Sequence, residues 1–270
     1  MSNLFDLSGR VAVVSGAAQG LGRAMALALA EAGADLALVD LNEDKLNVTV
    51  KDTTALGRKA IAYVCNVSQP DAIRGMFSQI DQDFGRVDVL GNVAGDGILG
   101  KPEDIPIEDV QKVMQNLVIG RFSMCQEAGR RMLKAGKGSI INIGSLASIT
   151  ALGRGHIAYS MAMGAVVQMT RELSTEWSSS GVRVNAILPA QVTNPSLETR
   201  MDADPNLRAT YLRGLPIGRL GEPNDIQGLS VLLASDASQW ITGALIPMDG
   251  GNLALNGGGT VRPPAKTSKN

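Results

Sequence analysis

Short apolar runs alternate with amphipathic stretches along almost the whole chain, and this alternation is what most constrains the fold. Seven such runs lie at 11–15, 35–39, 60–66, 87–92, 139–145, 182–188 and 244–249. Segments with apolar residues at helical spacing lie between them at 21–32, 71–84, 107–133, 159–178 and 225–234. Strands that are apolar throughout are buried on both faces, as in a parallel sheet covered by crossover helices. The pattern predicts an α/β fold with one doubly wound, seven-stranded parallel sheet.

Length, charge and composition limit the classes of function. A chain of 270 residues suits one large domain, which we expect over 1–255, with a flexible Gly-, Pro- and Lys-rich tail over 256–270. Lys+Arg 25 against Asp+Glu 26 gives a net charge of −1, so we expect no nucleic-acid partner. Cys65 and Cys125 cannot form a disulfide framework, and we expect no metal site. Without a charged-then-apolar leader or an apolar run of about 18 residues, the sequence predicts a cytoplasmic protein that does not bind membranes.

A glycine-rich turn joins the first predicted strand to the first predicted helix, with the sequence Ser15-Gly16-Ala17-Ala18-Gln19-Gly20-Leu21-Gly22. A backbone that approaches a pyrophosphate closely has no room for β-carbons, and the next helix offers unpaired N–H groups. Asp40 ends the second strand eighteen residues after Gly22, where a carboxylate can bind both adenosine ribose hydroxyls and repel a 2′-phosphate. Helix–strand packing for the turn and helix capping for Asp40 are the alternatives. The prediction is a site for NAD(H) rather than NADP(H).

Further motifs follow the glycine turn in a characteristic order. They are Asn92-Val93-Ala94-Gly95, Asn116, Ser145, Tyr159, Asn185 to Pro189, and the closing segment from Gly218-Arg219-Leu220-Gly221-Glu222-Pro223 to Asp249-Gly250-Gly251. With these motifs the chain resembles the short-chain dehydrogenases/reductases of the three-glycine type over nearly its whole length. The resemblance implies a Rossmann domain, hydride transfer between a nicotinamide cofactor and a small-molecule alcohol or carbonyl substrate, and a homotetramer built on the two long helices.

The same resemblance implies roles for particular side chains. Tyr159 matches the general acid/base, Asn116 the asparagine of a proton relay, and Ser145 the partner of the substrate oxygen, with Ser148 as the lesser candidate. The positions that match binding of the cofactor, NAD, are Ser15, Gly16, Gln19, Gly20, Leu21, Gly22, Asp40, Asn66, Val67, Asn92, Ala94, Gly95, Tyr159, Met163, Pro189, Ala190, Val192 and Asn194.

One departure from the family pattern concerns catalysis directly. The family has a lysine four residues after the tyrosine, which holds the nicotinamide ribose and favours the tyrosinate, whereas this chain has Met163. Residues four apart lie on the same helix face. Free tyrosine titrates near 10, and a nearby cation favours the phenolate by about 1–3 units. Without that cation, we expect Tyr159 to be a poor base for alcohol oxidation but still able to act as an acid toward a carbonyl.

Smaller departures surround the same predicted pocket. Val93 replaces a second asparagine, Ala190 a glycine, and Asn66 an aspartate placed over the adenine. Asn194 stands where a threonine often reaches the nicotinamide amide, with Thr193 beside it as a possible substitute. Because the departures are spread over several positions, they favour a naturally divergent site over one engineered lysine-to-methionine change.

Three other residues are candidates to replace the missing lysine. His156 lies three residues before Tyr159 and titrates in the physiological range, so it is a candidate acid/base; a pocket-lining or surface role is the more usual one. Arg154 and Arg121 are candidate cations, although a solvated surface is the more common place for an arginine. Spacing along the chain does not decide between them.

The segment 191–215 shows little regular pattern, and the resemblance implies that about 190–215 forms a lid over the substrate. Its arginines are candidates either for an anionic substrate or for exposed surface; they are Arg200, Arg208 and Arg213. Outside the lid, we expect the methionines of the helix at 159–178 to be packing residues, and Trp177 and Trp240 to lie in the core or an interface.

Three functions remain in competition. The leading hypothesis is an NAD(H)-dependent oxidoreductase acting on a small polar alcohol or ketone, such as a sugar, sugar acid or polyol. The second is a catalytically impaired NAD-binding protein acting as a sensor or assembly subunit, and Met163 is its main support. The third is a dehydratase or epimerase with bound NAD, in which Tyr159 or His156 moves protons. Ser145, Tyr159 and Asn116 argue against a fully silent site.

Overall fold

The computed structural model describes residues 4–255, and its centre is a parallel β-sheet. The strands are β1 (Val11–Ser15), β2 (Asp35–Asp40), β3 (Ala60–Val64), β4 (Val89–Asn92), β5 (Gly138–Ile143), β6 (Val182–Pro189) and β7 (Leu245–Met248). They are all parallel and lie in the order β3-β2-β1-β4-β5-β6-β7. The predicted seven-stranded parallel sheet is confirmed, and each predicted strand ends within two residues of the observed bounds.

Helices cover both faces of the sheet. In the described chain they are α1 (Gly20–Glu31), α2 (Glu43–Ala55), α3 (Pro70–Phe84), α4 (Ile107–Met114), α5 (Arg121–Ala135), α6 (Ile157–Trp177), α7 (Pro195–Ala203), α8 (Pro205–Arg213) and α9 (Gln227–Ala234). The five helices expected from apolar spacing correspond to α1, α3, α4 joined to α5, α6 and α9. The prediction of helices on both faces is therefore confirmed.

Alternate residues of each strand face opposite layers of the core. In β1, Ala12 and Val14 pack with α1 and α9, whereas Val13 packs with α3 and α5. Strand residues on either side are therefore removed from water. This two-sided burial explains why the strands read as continuous apolar runs rather than as alternating ones.

Three helices were not predicted, because polar residues dominate them. Helix α2 buries only Leu46, Thr49 and Thr53, and so shows no apolar stripe in the sequence. The segment 191–215 was expected to be irregular, but it contains α7 and α8. Each begins with an Asx-Pro pair whose Asx side chain caps the first turn, Asn194 accepting from the backbone N–H of Leu197 and Asp204 from that of Asn206. Such pairs mark the start of a helix, but they cannot be detected from the spacing of apolar residues.

The predicted single helix at 107–133 is interrupted. Six residues between α4 and α5, Gln115–Gly120, form a π-helical turn. Gly120 lies against the carbonyl oxygen of Val67, so close that a β-carbon would collide with it. A π turn is uncommon and is often found at functional sites, because it turns side chains away from the regular helical positions. Here it directs Gln115 and Asn116 toward the cavity described below.

The two tryptophans lie in different environments. Trp177 is partly buried against Gly129 of α5, as a core residue would be. Trp240 is 99% exposed, which excludes the core and leaves an interface as the prediction for it. No helix within 4–255 is long and apolar enough to span a membrane. The predicted tail, 256–270, lies outside the described residues.

Candidate active site

A cavity of about 1410 Å³ opens at the carboxyl ends of the strands. It lies where the chain order reverses, between β1 and β4, which is where doubly wound sheets leave a crevice for ligands. Most of the predicted site residues line it: Gly16, Gln19, Gly20, Leu21, Gly22, Asp40, Asn66, Val67, Ala94, Gly95, Asn116, Ser145, His156, Tyr159, Pro189, Ala190, Val192 and Asn194. Within the described chain, Ser15, Asn92 and Met163 are the predicted residues that do not reach it.

The glycine turn forms one end of the cavity in a shape that suits a phosphate-bearing ligand. Gly16 and Gly20 have positive φ angles of 72° and 56°. A β-carbon on Gly16 would lie 3.1 Å from the backbone nitrogen of Ala94, and one on Gly22 would collide with the carbonyl of Gly16. Space beside Gly20 is open. Helix α1 starts here with no side-chain cap and no acidic residue in its first turn, so its N–H groups are available to an anion.

Asp40 stands at the end of β2 beside this turn. Its Oδ2 accepts a hydrogen bond from the backbone N–H of Ala18 at 3.1 Å, and its Oδ1 accepts one from the backbone N–H of Asn42 at 3.0 Å. A carboxylate has about four acceptor positions, so each oxygen retains one for a ligand. The residue is partly exposed on the cavity wall. These features fit the expected contact with a ribose bearing two free hydroxyls.

Asn66 lines the cavity with its side-chain oxygen already occupied by hydrogen bonds. Its Oδ1 already accepts hydrogen bonds from the backbone N–H of Ser68 at 3.0 Å and from the Ser68 hydroxyl at 2.8 Å. Its amide Nδ2 therefore remains as the group for a ligand in the cavity. Because Ser68 occupies the oxygen, Asn66 is placed to donate to a ligand rather than to accept from one.

Ser15 and Asn92 lie beneath the cavity and hold its floor in place. The hydroxyl oxygen of Ser15 accepts hydrogen bonds from the backbone N–H groups of Val93 and Ala94, at 3.0 and 3.1 Å. The side-chain amide of Asn92 donates to the carbonyl of Arg121 at 2.9 Å and to Asn142 Oδ1 at 3.1 Å. Both side chains are fully buried. Their contribution is to fix β4 against its neighbours rather than to touch a ligand.

Ser145 follows β5 and is 8% exposed, with its side chain on the cavity wall. Its hydroxyl oxygen accepts a hydrogen bond from the backbone N–H of Ala147 at 3.1 Å, which leaves the hydroxyl proton free to donate. Ser148 does not line the cavity; its hydroxyl oxygen accepts from the backbone N–H of Ser145 at 3.1 Å. Of the two serines that the sequence left as alternatives, Ser145 lines the cavity and Ser148 does not.

Tyr159 lies in the first turn of α6 and lines the same cavity as Ser145. Its ring packs directly on Gly97, where an added β-carbon would lie 2.7 Å from the ring carbon Cδ2. His156 makes an edge contact with it, with ring centroids 6.3 Å apart. The Nδ1 of His156 lies 2.8 Å from the carbonyl oxygen of Gly153. Since a carbonyl only accepts, Nδ1 carries the proton and Nε2 is the ring atom left for proton exchange.

Asn116 lines the cavity from the π turn, but it is held weakly. Its side-chain amide donates to the carbonyl oxygen of Asp96 at 3.5 Å, at the long limit for a hydrogen bond. Asp96 follows the Asn92–Gly95 motif and also lines the cavity, as does Gly97. The structure thus brings Asn116 to the same chamber as Tyr159 without a direct hydrogen bond between them.

Met163 is 1% exposed and lies in an apolar cluster rather than on the cavity wall. The cluster joins α4, the π turn and α6, and its buried members include Val113, Leu117 and Val166. The partly buried ring of Tyr159 packs against the same cluster. Methionine at this position therefore acts as a packing residue, as expected, whereas Met161 of the same helix is 51% exposed in the single chain.

Arg121 is the most unexpected residue of the site. It was expected on a solvated surface, but it is 3% exposed, because α5 begins directly behind the floor of the cavity. Its guanidinium donates to the carbonyls of Ala94 at 3.2 Å and Val93 at 3.0 Å, and also to that of Ile143. These carbonyls belong to the ends of β4 and β5.

The charge of Arg121 is not neutralised by an acid in the described chain. All three of its hydrogen-bond partners are carbonyl groups, and none of the ion pairs within 4–255 includes it. Burial lowers the pKa of the guanidinium to about 10, and attraction to ionised Tyr159 and Cys125 acts in the opposite direction. Burial also raises the pKa of the Cys125 thiol to about 12, so at neutral pH Arg121 is a cation and Cys125 is neutral.

The wall opposite Tyr159 follows β6 and includes the start of α7. Pro189, Ala190, Val192, Thr193 and Asn194 lie along it. Asn194 uses both ends of its amide locally, because Oδ1 accepts from the backbone N–H of Leu197 at 2.9 Å and Nδ2 donates to the carbonyl of Val192 at 3.2 Å. Capping of α7 is thus its clear structural role, and Thr193 keeps its hydroxyl for a ligand.

Several lining residues were not singled out from the sequence. They are Cys65, Ser68, Asp96, Gly97, Leu99, Leu152, Gln191, Leu197 and Tyr211. Tyr211 is one of only three tyrosines in the chain, and an aromatic residue in so polar a segment was the signal available. Asp96 and Gly97 directly follow the Asn92–Gly95 motif, so their position next to it was a further signal.

Comparisons with known proteins cover nearly the whole chain. Residues 16–252 match the family described as enoyl-(acyl carrier protein) reductase. The chain is 36% identical over 248 residues to D-threitol dehydrogenase of Mycolicibacterium smegmatis, covering 92% of this chain and 94% of that protein. It is 34% identical over 247 residues to NAD-dependent glycerol dehydrogenase of Listeria innocua, covering 92% and 95%. It is also 35% identical over 257 residues to 2-dehydro-3-deoxy-D-gluconate 5-dehydrogenase of Bacillus subtilis, covering 94% and 98%.

Solved structures agree with these relatives. A short-chain type dehydrogenase/reductase from Mycobacterium marinum superposes with a TM-score of 0.85 at 33% identity, covering 92% of this chain and 97% of that one. The structure of NAD⁺-bound xylitol dehydrogenase superposes with a TM-score of 0.82 at 28% identity, covering 89% and 98%.

Proposed function

The chain belongs to the short-chain dehydrogenase/reductase family, and we propose that it transfers hydride between NAD(H) and a small polar alcohol or carbonyl compound. It is an oxidoreductase acting on CH–OH groups. The observation that carries the specific proposal is the meeting of Ser145, Tyr159 and the glycine turn at one cavity. Its relatives named for threitol and glycerol favour a polyol, sugar or sugar acid as the substrate class.

The proposed cofactor position follows from the donors and acceptors along the wall. The turn at Gly16–Gly22 and the uncapped start of α1 would hold the pyrophosphate. Asp40 would accept from the adenosine ribose and disfavour a 2′-phosphate, which gives the preference for NAD(H). Asn66 would donate through Nδ2 to the adenine. When bound, the nicotinamide supplies the hydride acceptor or donor.

Chain residues would handle the substrate oxygen and its proton. The free hydroxyl proton of Ser145 would donate to that oxygen and orient the carbon that exchanges hydride. In oxidation Tyr159 would take the hydroxyl proton as hydride leaves the carbon; in reduction it would return a proton to the oxygen. Asn116 would connect this proton to solvent through the π turn.

Arg121 is proposed to supply the positive charge that the family's lysine provides. A cation buried without a carboxylate partner is unfavourable, so it stabilises any anion that forms near it. Its attraction to ionised Tyr159 supports this role, and its three carbonyl contacts fix its position at the cavity floor. Met163 would then serve only packing.

Two alternatives retain some support. The apolar burial of Met163 suits a protein that binds the cofactor without turning over substrate. His156 contacts Tyr159 and keeps its Nε2 available, which suits proton transfer in a dehydratase or epimerase with bound NAD. Both predict that cofactor binds without net formation of NADH from an alcohol.

We also propose a homotetramer built on the long helices. Large apolar side chains are exposed on these helices in the single chain: Ile107, Ile119, Phe122, Ile157 and Met161. Groups of exposed apolar side chains are commonly covered by a partner. Analytical ultracentrifugation should give about four times the 28.2 kDa chain mass, and Phe122→Asp should give smaller species. A monomeric wild type would contradict this proposal.

The function is tested by binding and turnover together. Calorimetric titration with NAD⁺, NADH and their phosphorylated forms should show binding of the unphosphorylated pair. NADH formation from NAD⁺ should then appear with members of a panel of polyols, sugars and sugar acids. Binding without turnover across the panel would favour the impaired protein or the non-redox enzyme, and no binding of any nucleotide would contradict the cofactor assignment.

A further inference from the structure

Two arginines from different parts of the chain line the cavity. Arg154 comes from the loop between β5 and α6, and Arg200 from the last turn of α7. The cavity also has acidic lining residues, Asp96 and Glu108, while its Lys112 pairs with Asp109. Neither Arg154 nor Arg200 belongs to an ion pair within 4–255.

Tyr211 of α8 joins the two guanidinium groups. The guanidinium carbon of Arg154 lies 5.0 Å from the centroid of the Tyr211 ring, within the range of a cation–π contact. The Nη2 of Arg200 lies 3.5 Å from the Tyr211 hydroxyl. Tyr211 is itself 6% exposed and packed with Leu197 and Leu215. One fixed aromatic ring therefore brings two unneutralised cations to one place on the cavity wall.

The backbone of Arg154 is unusual for its residue type. Its φ is 55°, and it is the single non-glycine residue with positive φ in the described chain. Its neighbours Gly153 and Gly155 have φ values of 65° and 75°, so three successive residues lie in the left-handed region. An arginine resists this conformation and a glycine does not. Glycine would adopt this conformation with less strain, but the arginine at this position places a guanidinium at the cavity.

We propose that Arg154 and Arg200 bind an anionic group at one end of a polyhydroxylated substrate. Guanidinium groups bind carboxylates and phosphates through charge-assisted hydrogen bonds, and a pair of them binds an anion more strongly than a neutral hydroxyl. The same loop leads through His156 to Tyr159, so an anion held at Arg154 leaves the other end of the substrate for Ser145 and Tyr159. This inference rests on the proposed function and narrows its substrate class to acids or phosphate esters.

Binding of matched probes tests the inference separately from turnover. Calorimetry on the full-length protein with saturating NADH compares D-gluconate with D-glucitol, which has the same carbon number but no charge, and with D-glucitol 6-phosphate. We expect at least one anionic probe to bind about tenfold or more tightly than D-glucitol. Preference for gluconate would identify a carboxylate substrate, and preference for the phosphate ester a phosphorylated one.

Variants then assign the preference to these arginines. Arg154→Gln and Arg200→Gln should each weaken binding of the preferred anion by about tenfold or more while changing D-glucitol binding little. Arg200→Lys should recover part of the loss because it keeps the charge. Arg208→Gln is the matched control, since Arg208 is exposed on the same lid and does not line the cavity. Melting temperatures verify folding.

Several results would overturn the inference. They are equal binding of the charged and neutral probes, no binding of any probe, or equal losses for both kinds of probe in the arginine variants. The proposed function fails on a different observation, which is the absence of NADH binding in the titration that precedes the probes. If NADH does not bind, the same probe series on cofactor-free protein still decides whether the arginines select an anion.

Discussion

Asp40 Oδ2 accepts a hydrogen bond from the backbone N–H of Ala18 at 3.1 Å, which ties the end of β2 to the glycine turn after β1. The carboxylate is thereby fixed beside the first turn of α1, with acceptor positions still facing the cavity. Asp40 therefore fixes the shape of the turn, and in our proposal the same side chain selects the cofactor.

Asp40→Ala is expected to weaken NAD⁺ binding by roughly 10- to 100-fold, because the contact between a carboxylate and ribose hydroxyls is lost. NADP⁺ binding should improve relative to NAD⁺, since repulsion of the 2′-phosphate is removed. Calorimetry with both nucleotides measures the change. Asp40→Asn keeps an acceptor for Ala18 and separates turn geometry from charge, and Asp44→Ala controls for removal of an exposed acid nearby. An unchanged preference would show that Asp40 does not contact the ribose.

Ser145→Ala should slow alcohol oxidation on the order of 10²-fold with little change in NAD⁺ binding, because the donor to the substrate oxygen is removed. Ser148→Ala should have a much smaller effect, since its hydroxyl faces the backbone of Ser145 instead of the cavity. Steady-state rates of the two variants are compared with the wild type. Equal losses in both, or a larger loss in Ser148→Ala, would reverse the assignment of the two serines.

Arg121→Met should lower the rate of oxidation near neutral pH on the order of 10²-fold and shift the pH at which the rate rises upward. His156 contacts the Tyr159 ring by its edge, and Asp96, Arg154 and Arg200 line the same cavity, so the pH profile is recorded also for His156→Gln and Arg154→Gln. Arg121→Lys keeps the charge and should recover part of the rate. A pH profile that is the same for wild type and Arg121→Met would contradict a catalytic charge at Arg121, even if the variant is less stable.

If Arg121 supplies the positive charge, as we propose, Met163→Lys should not raise the rate of oxidation near neutral pH. It should lower the melting temperature, since an ammonium would enter an apolar cluster. Met163→Leu, which changes volume little, should cost less than about 1.5 kcal/mol and leave the rate unchanged. A gain of tenfold or more in Met163→Lys would mean that the positive charge was missing and that Arg121 does not replace it.

Acid should weaken the loop that precedes α9. Two hydrogen bonds from Arg219, at 2.7 and 2.8 Å, hold the pKa of Asp225 below its usual value of 3.8, and the backbone N–H of Glu222 adds a third. A carboxylate whose pKa is lower in the folded than in the unfolded state stabilises the fold at pH values above the unfolded pKa. This stabilisation is lost as the pH falls through the folded pKa. Asp225→Asn should therefore lower the melting temperature at pH 7, but not once the pH is below the folded pKa. A matched Asp202→Asn should change little at either pH.

The sheet could be predicted from the sequence because each strand is buried on both faces, which leaves runs such as 11–15 apolar throughout. Helices with a wide apolar face were predictable because their buried residues recur at helical spacing. Helix α2 was not, because its buried stripe includes Thr49 and Thr53, and α7 and α8 were not, because their start signals are polar. The start of each of these helices is set by a side chain that caps its first turn, rather than by apolar periodicity.

The candidate site was predictable where backbone constraints mark it, as at Gly16 and Gly22. It was not predictable where long-range packing decides the environment of a charge. Arg121 lies on a helix whose sequence is polar on average, and only the tertiary fold shows that its position is behind the ends of β4 and β5. Asn66 similarly contributes its amide instead of its oxygen because of Ser68, a contact that residue type alone does not reveal.

The central claim is that Tyr159 moves a proton while NAD⁺ takes hydride from a polar alcohol, and Tyr159→Phe tests it most directly. NADH formation is followed for wild type and variant with NAD⁺ and the best substrate of the polyol, sugar and sugar-acid panel. The account predicts turnover by the wild type, a loss on the order of 10²- to 10⁴-fold in Tyr159→Phe, and unchanged NAD⁺ binding. A variant as fast as the wild type, or a wild type that binds NAD⁺ and forms no NADH with any substrate, would contradict it.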